Sequence, residues 1–334
     1  MQSRREFLRE VAAAGTVGYV GLRPQPAAAE PPPETTTIRL VRESSICLAP
    51  QFVAEDLLYS EGFTDVRYVD VGTGPGIYEV LASGEAHISM TFGPSVIIRI
   101  DAGKPIVFLA GVHIGCLELF GTDRVRTIRD LKGKKVATVG IGSATHVFLA
   151  SMVTYVGLDP NDDITWVVHP KAAESKRALA EGKIDAFMTG LPFSFELRTE
   201  KVGHVVVSTT TDRPWSQYFC CMLSGNREFV RKQPVATKRA VRAILKASDL
   251  CALEPDRAAR LMVDKGYTKS YDQALQTLRE LPYSAWRTHD PEDTVRFFSL
   301  RLHEAGMIKS SPQRILAQGT DWRFLNELKK ELKG

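Results

Sequence analysis

The chain has 334 residues, 44% of them hydrophobic and 25% charged, with a formal net charge of +4. This composition excludes a disordered chain and a disulfide scaffold, and so small a charge points to no nucleic-acid or membrane-surface partner. The length exceeds what one hydrophobic core commonly supports, so two lobes are expected.

Residues 1–29 read as an export signal. Ser3-Arg4-Arg5-Glu6-Phe7-Leu8 is a twin-arginine pattern, a mildly apolar stretch rich in Gly and Ala follows at 11–22, and Ala27-Ala28-Ala29 offers small residues for cleavage near Ala29. The stretch is too short and too weakly apolar to span a bilayer. The twin-arginine export machinery is therefore an expected partner, and a soluble periplasmic protein the expected product. Residues 30–37 (Glu-Pro-Pro-Pro-Glu-Thr-Thr-Thr) read as a linker.

From Ile38 onward, short β-like runs alternate with helix-like segments. Strands are predicted at 38–41, 66–71, 87–91 and 106–112, with helices at 50–61, from the glycine-rich loop at 72–76 to Leu81, and from Gly93-Pro94. A second set follows: strands at 136–139, 164–168, 184–188 and 205–208, with helices at 145–156 and 174–181. After Asn226 the chain reads as almost wholly helical. Such alternation argues for parallel α/β sheets. Extended runs at 116–121 and 217–223 flank the second set, as expected of a lobe inserted into another by two crossing strands, which is a hinge architecture. The expected organisation is lobe I at 38–120 and 219–334, with a helical C-terminal part, and lobe II at 121–218.

Motifs along the chain add a resemblance. Ala82-Ser83-Gly84-Glu85-Ala86-His87, Asp130-Leu131-Lys132-Gly133-Lys134-Lys135 and Gly142-Ser143-Ala144-Thr145-His146 come first; Val156-Gly157-Leu158-Asp159, Ala178-Leu179-Ala180-Glu181-Gly182 and Asn226-Arg227-Glu228-Phe229 follow in order. Over roughly residues 38–235 the chain resembles the nitrate/sulfonate/taurine and thiamine-precursor branch of the type II periplasmic binding proteins. It departs from that pattern at 41–45, at His87 where Asp is usual, and around 112–118. The resemblance implies two doubly wound α/β lobes joined by a two-strand hinge and ending in a helical tail. It implies a non-enzymatic, monomeric solute-binding protein that captures a small polar or anionic organic molecule or an oxyanion, nitrate- or sulfonate-like, and delivers it to an ABC permease in the inner membrane. A thiamine pyrimidine precursor or aromatic ligand, an enzyme on the same fold and a ligand-sensing subunit are the alternatives.

In open α/β sheets, ligands sit beyond the carboxyl ends of strands, where helix N-termini present free N–H groups suited to an anion or an oxygen-rich group. Gly142, Ser143, Ala144 and Thr145 fit best: glycine permits close approach and the two hydroxyls add donors, with a plain helix cap as the alternative. Glu43, Ser44 and Ser45 hold the same place after the first strand. Phe92 and Gly93 hold it after the third, with core packing the alternative for Phe92. Thr189 and Pro192 are expected to face the cleft from lobe II. His113 ends the strand before the hinge, as a ligand contact or as a structural residue. A carboxylate in the cleft repels an anion unless an arginine pairs with it, so Glu43 and Glu118 leave a neutral, amide-bearing or pyrimidine-like ligand open.

No catalytic constellation, cofactor motif or metal site is read. The glycine-rich run at 72–76 lacks the dinucleotide spacing. Of the five cysteines, Cys47, Cys116, Cys220, Cys221 and Cys251, the odd number leaves at least one free or paired between chains, and most are expected to be buried as small hydrophobes. His113 and Cys116, three residues apart, would face opposite sides of a continuous strand, as would the adjacent Cys220 and Cys221.

Overall fold

The computed structural model describes residues 30–43, 45–71 and 76–332. The predicted export signal, Ser44 and residues 72–75 of the glycine-rich loop lie outside them. In chain order the elements are β1 (Thr37–Arg42), α1 (Ala49–Val53), α2 (Glu55–Ser60), β2 (Asp65–Asp70), α3 (Gly76–Ser83), β3 (Ile88–Phe92), α4 (Gly93–Asp101), β4 (Ile106–Ile114) and β5 (Leu117–Gly121). Then come β6 (Lys134–Thr138), α5 (Ala144–Tyr155), β7 (Ile164–Val168), α6 (Ala172–Ala180), β8 (Ala186–Gly190), α7 (Phe193–Glu200), β9 (His204–Ser208) and β10 (Phe219–Asn226). The helical tail holds α8 (Arg227–Lys232), α9 (Pro234–Leu253), α10 (Pro255–Asp264), α11 (Tyr271–Glu280), α12 (Pro291–Glu304), α13 (Pro312–Gly319) and α14 (Arg323–Glu331).

Three local expectations change. The single helix predicted at 50–61 is two short helices, split at Ala54 where ψ is -8°, and preceded by the 3₁₀ turn Ile46–Leu48. The strand predicted at 184–188 runs two residues later, because Asp185 is occupied in joining strands: its carboxylate accepts from the Lys135 N–H (2.9 Å) and from Arg124 Nε (2.7 Å). Helix α7 lies in a stretch that the sequence reading leaves unassigned.

One sheet has the order β2-β1-β3-β10-β4 and the other β7-β6-β8-β5-β9. In each, the second strand in that order pairs in parallel with both neighbours. Each also holds one antiparallel strand, β10 between β3 and β4, and β5 between β8 and β9. The sheets are therefore mixed, where wholly parallel sheets are predicted. Connectivity is the reason: β5 enters the second sheet directly from β4 of the first, and β10 returns from β9. Each sheet thus contains a strand delivered by a hinge crossing, and the two runs predicted as extended supply them.

Every residue of β4, β5 and β10 is buried. Helix α5 of lobe II packs on α4 and α12 of lobe I, with Phe148 edge-on to Phe298 at 4.9 Å between ring centroids. Burying one such phenylalanine contributes roughly 2–3 kcal/mol. Segment 33–37 is tied down as well: the Glu34 carboxylate accepts the N–H groups of Val235 and Ala236, both at 2.9 Å, at the start of α9.

Candidate functional site

Strand β1 delivers Glu43 just past its carboxyl end. The Ser45 N–H donates to the Glu43 carbonyl (2.8 Å), and Ser45 Oγ lies 3.1 Å from Cys47 Sγ in the 3₁₀ turn that follows. Glu43 Oε2 is buried with no hydrogen-bond partner. Burial, and after it the charge of Cys47, pushes this carboxyl up to about 7. Tyr78 of α3 interacts with Glu43 and with Ser95, and burial holds its hydroxyl above the ordinary phenol range. Ser95 stands in the first turn of α4, and its Oγ is buried without a well-formed hydrogen bond. Of the other residues predicted after β3, Phe92 is half-buried where α4 begins. Gly93 is buried, and a Cβ there would come 3.2 Å from Met222 Sδ, so its smallness serves the packing of β10.

Next to this group lies a cluster that the strand-facing argument disfavours unless the chain bends at Gly115, as it does. A ring nitrogen of His113 and the sulfurs of Cys47 and Cys221 all lie within 4.8 Å of one another, as do the sulfurs of Cys116, Cys220 and Cys221. Cys116 Sγ is 3.4 Å from Cys220 Sγ. Two irregularities bring them together. Gly115 and Cys116 both take φ of 83°, so the chain turns sharply between β4 and β5. The register of β10 on β4 also slips on both sides of Cys221, which releases Cys220 and Cys221 from strict alternation. All five cysteines are buried, where burial was expected of most of them, and all are free thiols; Cys251 stands outside both groups.

Lobe II presents two groups. At the end of β6, Gly142 has φ of 81° and open space around its Cα, while Ile141 is 64% exposed. Ser143 caps α5, its Oγ accepting the His146 N–H (3.4 Å) and lying 3.2 Å from Thr138 Oγ1 and 3.4 Å from Thr145 Oγ1. Ala144 and Thr145 complete a half-buried first turn. In the second group, Thr189 on β8 lies opposite Glu118 on β5, and Pro192 stands where α7 begins. Glu118 Oε1 accepts from Arg198 Nη1 (3.2 Å), and Arg198 Nη2 reaches both oxygens of Glu280 on α11 (2.7–2.8 Å). Burial raises the Glu118 carboxyl above its usual range, against the pull of Arg198. Its Oε2 and Ser194 Oγ, in the first turn of α7, lack well-formed hydrogen bonds.

The structure thus brings Glu43 and His113 into one lobe I group, keeps Gly142–Thr145 together, and sets Thr189 and Pro192 beside the Glu118–Arg198–Glu280 chain. Among the described residues no hydrogen bond joins the three. Sequence reasoning missed Tyr78, Ser95, Ser194 and Arg198. Ser95 and Ser194 carried a usable signal, since each stands in the first turn after the third parallel strand of its sheet.

Two sheets of one strand order, each holding a strand sent by the other lobe, define the two-lobe fold of the periplasmic binding proteins. The chain belongs to the NMT1-like family, which matches residues 32–264. It is 27% identical over 126 residues to the bicarbonate-binding protein CmpA of Synechococcus sp., covering 37% of this chain and 27% of that protein. The chain thus matches about a quarter of the length of that curated relative. The periplasmic nitrate-binding protein NrtA from Synechocystis PCC 6803 superposes with a TM-score of 0.72 over 91% of this chain and 90% of its own, at 16% identity. The desulfurization enzyme DSZB has the same fold, with a TM-score of 0.62 over 88% of this chain and 99% of its own, at 15% identity. Among the described residues no helix is long and apolar enough to cross a membrane.

Proposed function

We propose that this chain is an extracytoplasmic solute-binding protein that captures a small oxyanion or oxygen-rich organic anion between its lobes and hands it to the permease of an ABC importer. The observation that carries this reading is a set of buried, poorly satisfied polar atoms at strand ends and helix starts in both lobes. Glu43 Oε2, Ser95 Oγ and His113 Nε2 in lobe I, and Glu118 Oε2 and Ser194 Oγ in lobe II, are buried without well-formed partners, all at strand ends or in first helical turns. A group left unpaired, as Glu43 Oε2 is, costs about 1–3 kcal/mol, which a ligand supplying a partner recovers, while the others keep weak side-chain neighbours that a ligand would improve on. A Glu43 carboxyl titrating near 7 is half protonated at neutral pH, so it offers an O–H donor to an oxyanion instead of repelling it. From lobe II the turn at 142–145 adds the N–H groups of Ala144 and Thr145 and the hydroxyls of Ser143 and Thr145, the Gly142 and Ser143 N–H groups being bound to His146 Nδ1 and the Gly140 carbonyl. Ligand bridging both lobes shifts the population toward the closed form. The named binding activities of CmpA and NrtA support a small anion as the solute.

The lobe boundaries proposed are 38–120 with 219–334, and 121–218; of the linker expected at 30–37, residues 33–37 are instead docked on lobe I, through Glu34 on α9 and Thr37 in β1. Export rests on Arg4 and Arg5: a lysine pair there is expected to leave the protein in the cytoplasm, read by fractionation. The Cys47–His113–Cys221 grouping favours a second reading, an enzyme on this fold.

A thermal-shift screen against bicarbonate, nitrate, alkanesulfonates, aromatic acids and pyrimidines decides between them. A ligand at 100 times its Kd stabilises the native state by about 2.7 kcal/mol, a rise of several degrees. The expected result is such a rise with one anion and no chemical change in it. No rise with any anion, or turnover of a candidate on incubation, sinks the transport reading.

A further inference from the structure

The buried thiols where the two hinge crossings meet lobe I have no role in solute capture, and with the His113 imidazole beside them their arrangement is that of a ligand set. Cys47 comes from the turn after β1, His113 from β4, Cys116 from the first crossing, and Cys220 and Cys221 from the strand that follows the second. Five residues from four separate stretches thus converge on two triads that share Cys221, each with its donor atoms within 4.8 Å of one another. Donors on one thiolate-bound ion, with bonds of about 2.0–2.3 Å, stand about 3.7–4.0 Å apart, so small side-chain movements close either triad on a metal.

The histidine supplies an independent observation. His113 is fully buried, and its Nδ1 lies 3.0 Å from the Ile114 carbonyl oxygen. A carbonyl oxygen can only accept, so Nδ1 carries the ring proton and Nε2 carries the lone pair. That Nε2 is buried without a well-formed hydrogen bond, and the group it interacts with is the Cys47 thiol of the same triad. The ring is steered by its edge-on contact with Tyr283 at 5.1 Å, whose hydroxyl donates to the Cys47 carbonyl (3.1 Å). A single buried side chain therefore braces two members of the same triad.

We propose that Cys47, His113 and Cys221 form a binding site for a soft metal ion, copper(I), with Cys116 and Cys220 flanking it through the shared Cys221. The chemistry selects the ion. The donors are thiols and an imidazole, which suit soft and borderline metals, and each triad offers three donors in a buried setting, whereas structural zinc takes four. On binding, each coordinating thiol gives up its proton to solvent and no electron is transferred. An ion there ties both crossings to the turn after β1.

The test uses the full chain, reduced and handled anaerobically, in competition with a chromophoric copper(I) chelator, with a parallel zinc(II) titration. One equivalent of copper(I) per chain is expected to be withdrawn from the chelator, with a rise in Tm. Cys221→Ser should weaken retention at least 100-fold, and Cys47→Ser and His113→Gln each 10- to 100-fold, while Cys251→Ser leaves it unchanged. Circular dichroism confirms that each variant is folded; if Cys221→Ser is not, Cys47→Ser and His113→Gln decide. The site is refuted by folded wild-type protein that takes up no copper(I) after reduction, including protein isolated with a Cys116–Cys220 disulfide, or by retention unchanged in Cys47→Ser and His113→Gln. Tighter retention of zinc(II) than of copper(I) overturns the choice of ion.

Discussion

The two sheets share one strand order, yet their strand ends are finished in opposite ways. In lobe I the ends of β1 and β4 close over ionisable groups: Glu43, His113 and a cluster of thiols, nearly all out of contact with water. In lobe II the end of β6 leads into a turn that stands in solvent, where a Cβ on Gly142 would meet nothing within 4 Å and Ser143 and Thr145 are half exposed. Topology fixes where a site can form, and the residues at each strand end decide whether that place is a sealed pocket of tunable groups or an open rim of donors. A closing crevice can use both.

Gly115 and Gly142 put this contrast to the sharpest test, because they share a left-handed backbone (φ 83° and 81°) and differ in surroundings. A Cβ on Gly115 would lie 2.4 Å from Thr210 Oγ1 and 3.1 Å from the Thr210 Cα, across the two hinge crossings. Backbone strain of about 1 kcal/mol adds to overpacking of about 1–3 kcal/mol. Gly115→Ala is therefore expected to lose on the order of 3 kcal/mol in urea unfolding. A loss below 1 kcal/mol would mean that the crossings are loosely packed and that the sealed wall is not sealed there.

The second test is Glu43. Its folded carboxyl titrates near 7 against an unfolded value of 4.5, so the native state holds the proton more tightly. Stability from this group is complete below pH 4.5, falls as pH rises through 7, and stays low above it. At 1.36 kcal/mol per unit the fall is on the order of 3 kcal/mol for a group this buried. Glu43→Gln is expected to match wild type at pH 4 and to exceed it by roughly 2–3 kcal/mol at pH 8. The difference between variant and wild type isolates the carboxyl, and unfolding curves whose difference is flat between pH 4 and 8 would place Glu43 in contact with water.

The β–α alternation, the hinge runs and the helical tail were legible because strands and helices announce themselves by short apolar runs and their punctuation. The residues at strand ends were legible too, since a helix start after a strand is a local pattern: Glu43, Ser143 and Thr145 follow from it, and Ser95 and Ser194 could have. The thiol cluster was not. Its assembly depends on two consecutive positive φ values at Gly115 and Cys116 and on a register slip at Cys221, and neither leaves a mark on periodicity. The alternation rule assumes a straight strand, and it fails at a crossing where the chain must change sheets. Arg198 was missed for a related reason: its partners Glu118 and Glu280 lie 80 and 82 residues away, beyond any local pattern.

The smallest effect on stability is expected at Gly142, and it separates folding from binding. An alanine there meets no atom within 4 Å, so its cost is the left-handed backbone alone, about 1 kcal/mol. Its added methyl would, however, stand where a ligand oxygen must approach the N–H groups of the α5 start. Gly142→Ala is therefore expected to lose about 1 kcal/mol in unfolding while losing most of the ligand-induced rise in Tm seen with the wild type. Gly133→Ala, with a similar φ of 71° and equally open space but outside the strand-end turn, should show the same stability loss and keep the full rise. If both variants keep it, the exposed turn is a plain helix cap, and the solute is held by lobe I alone.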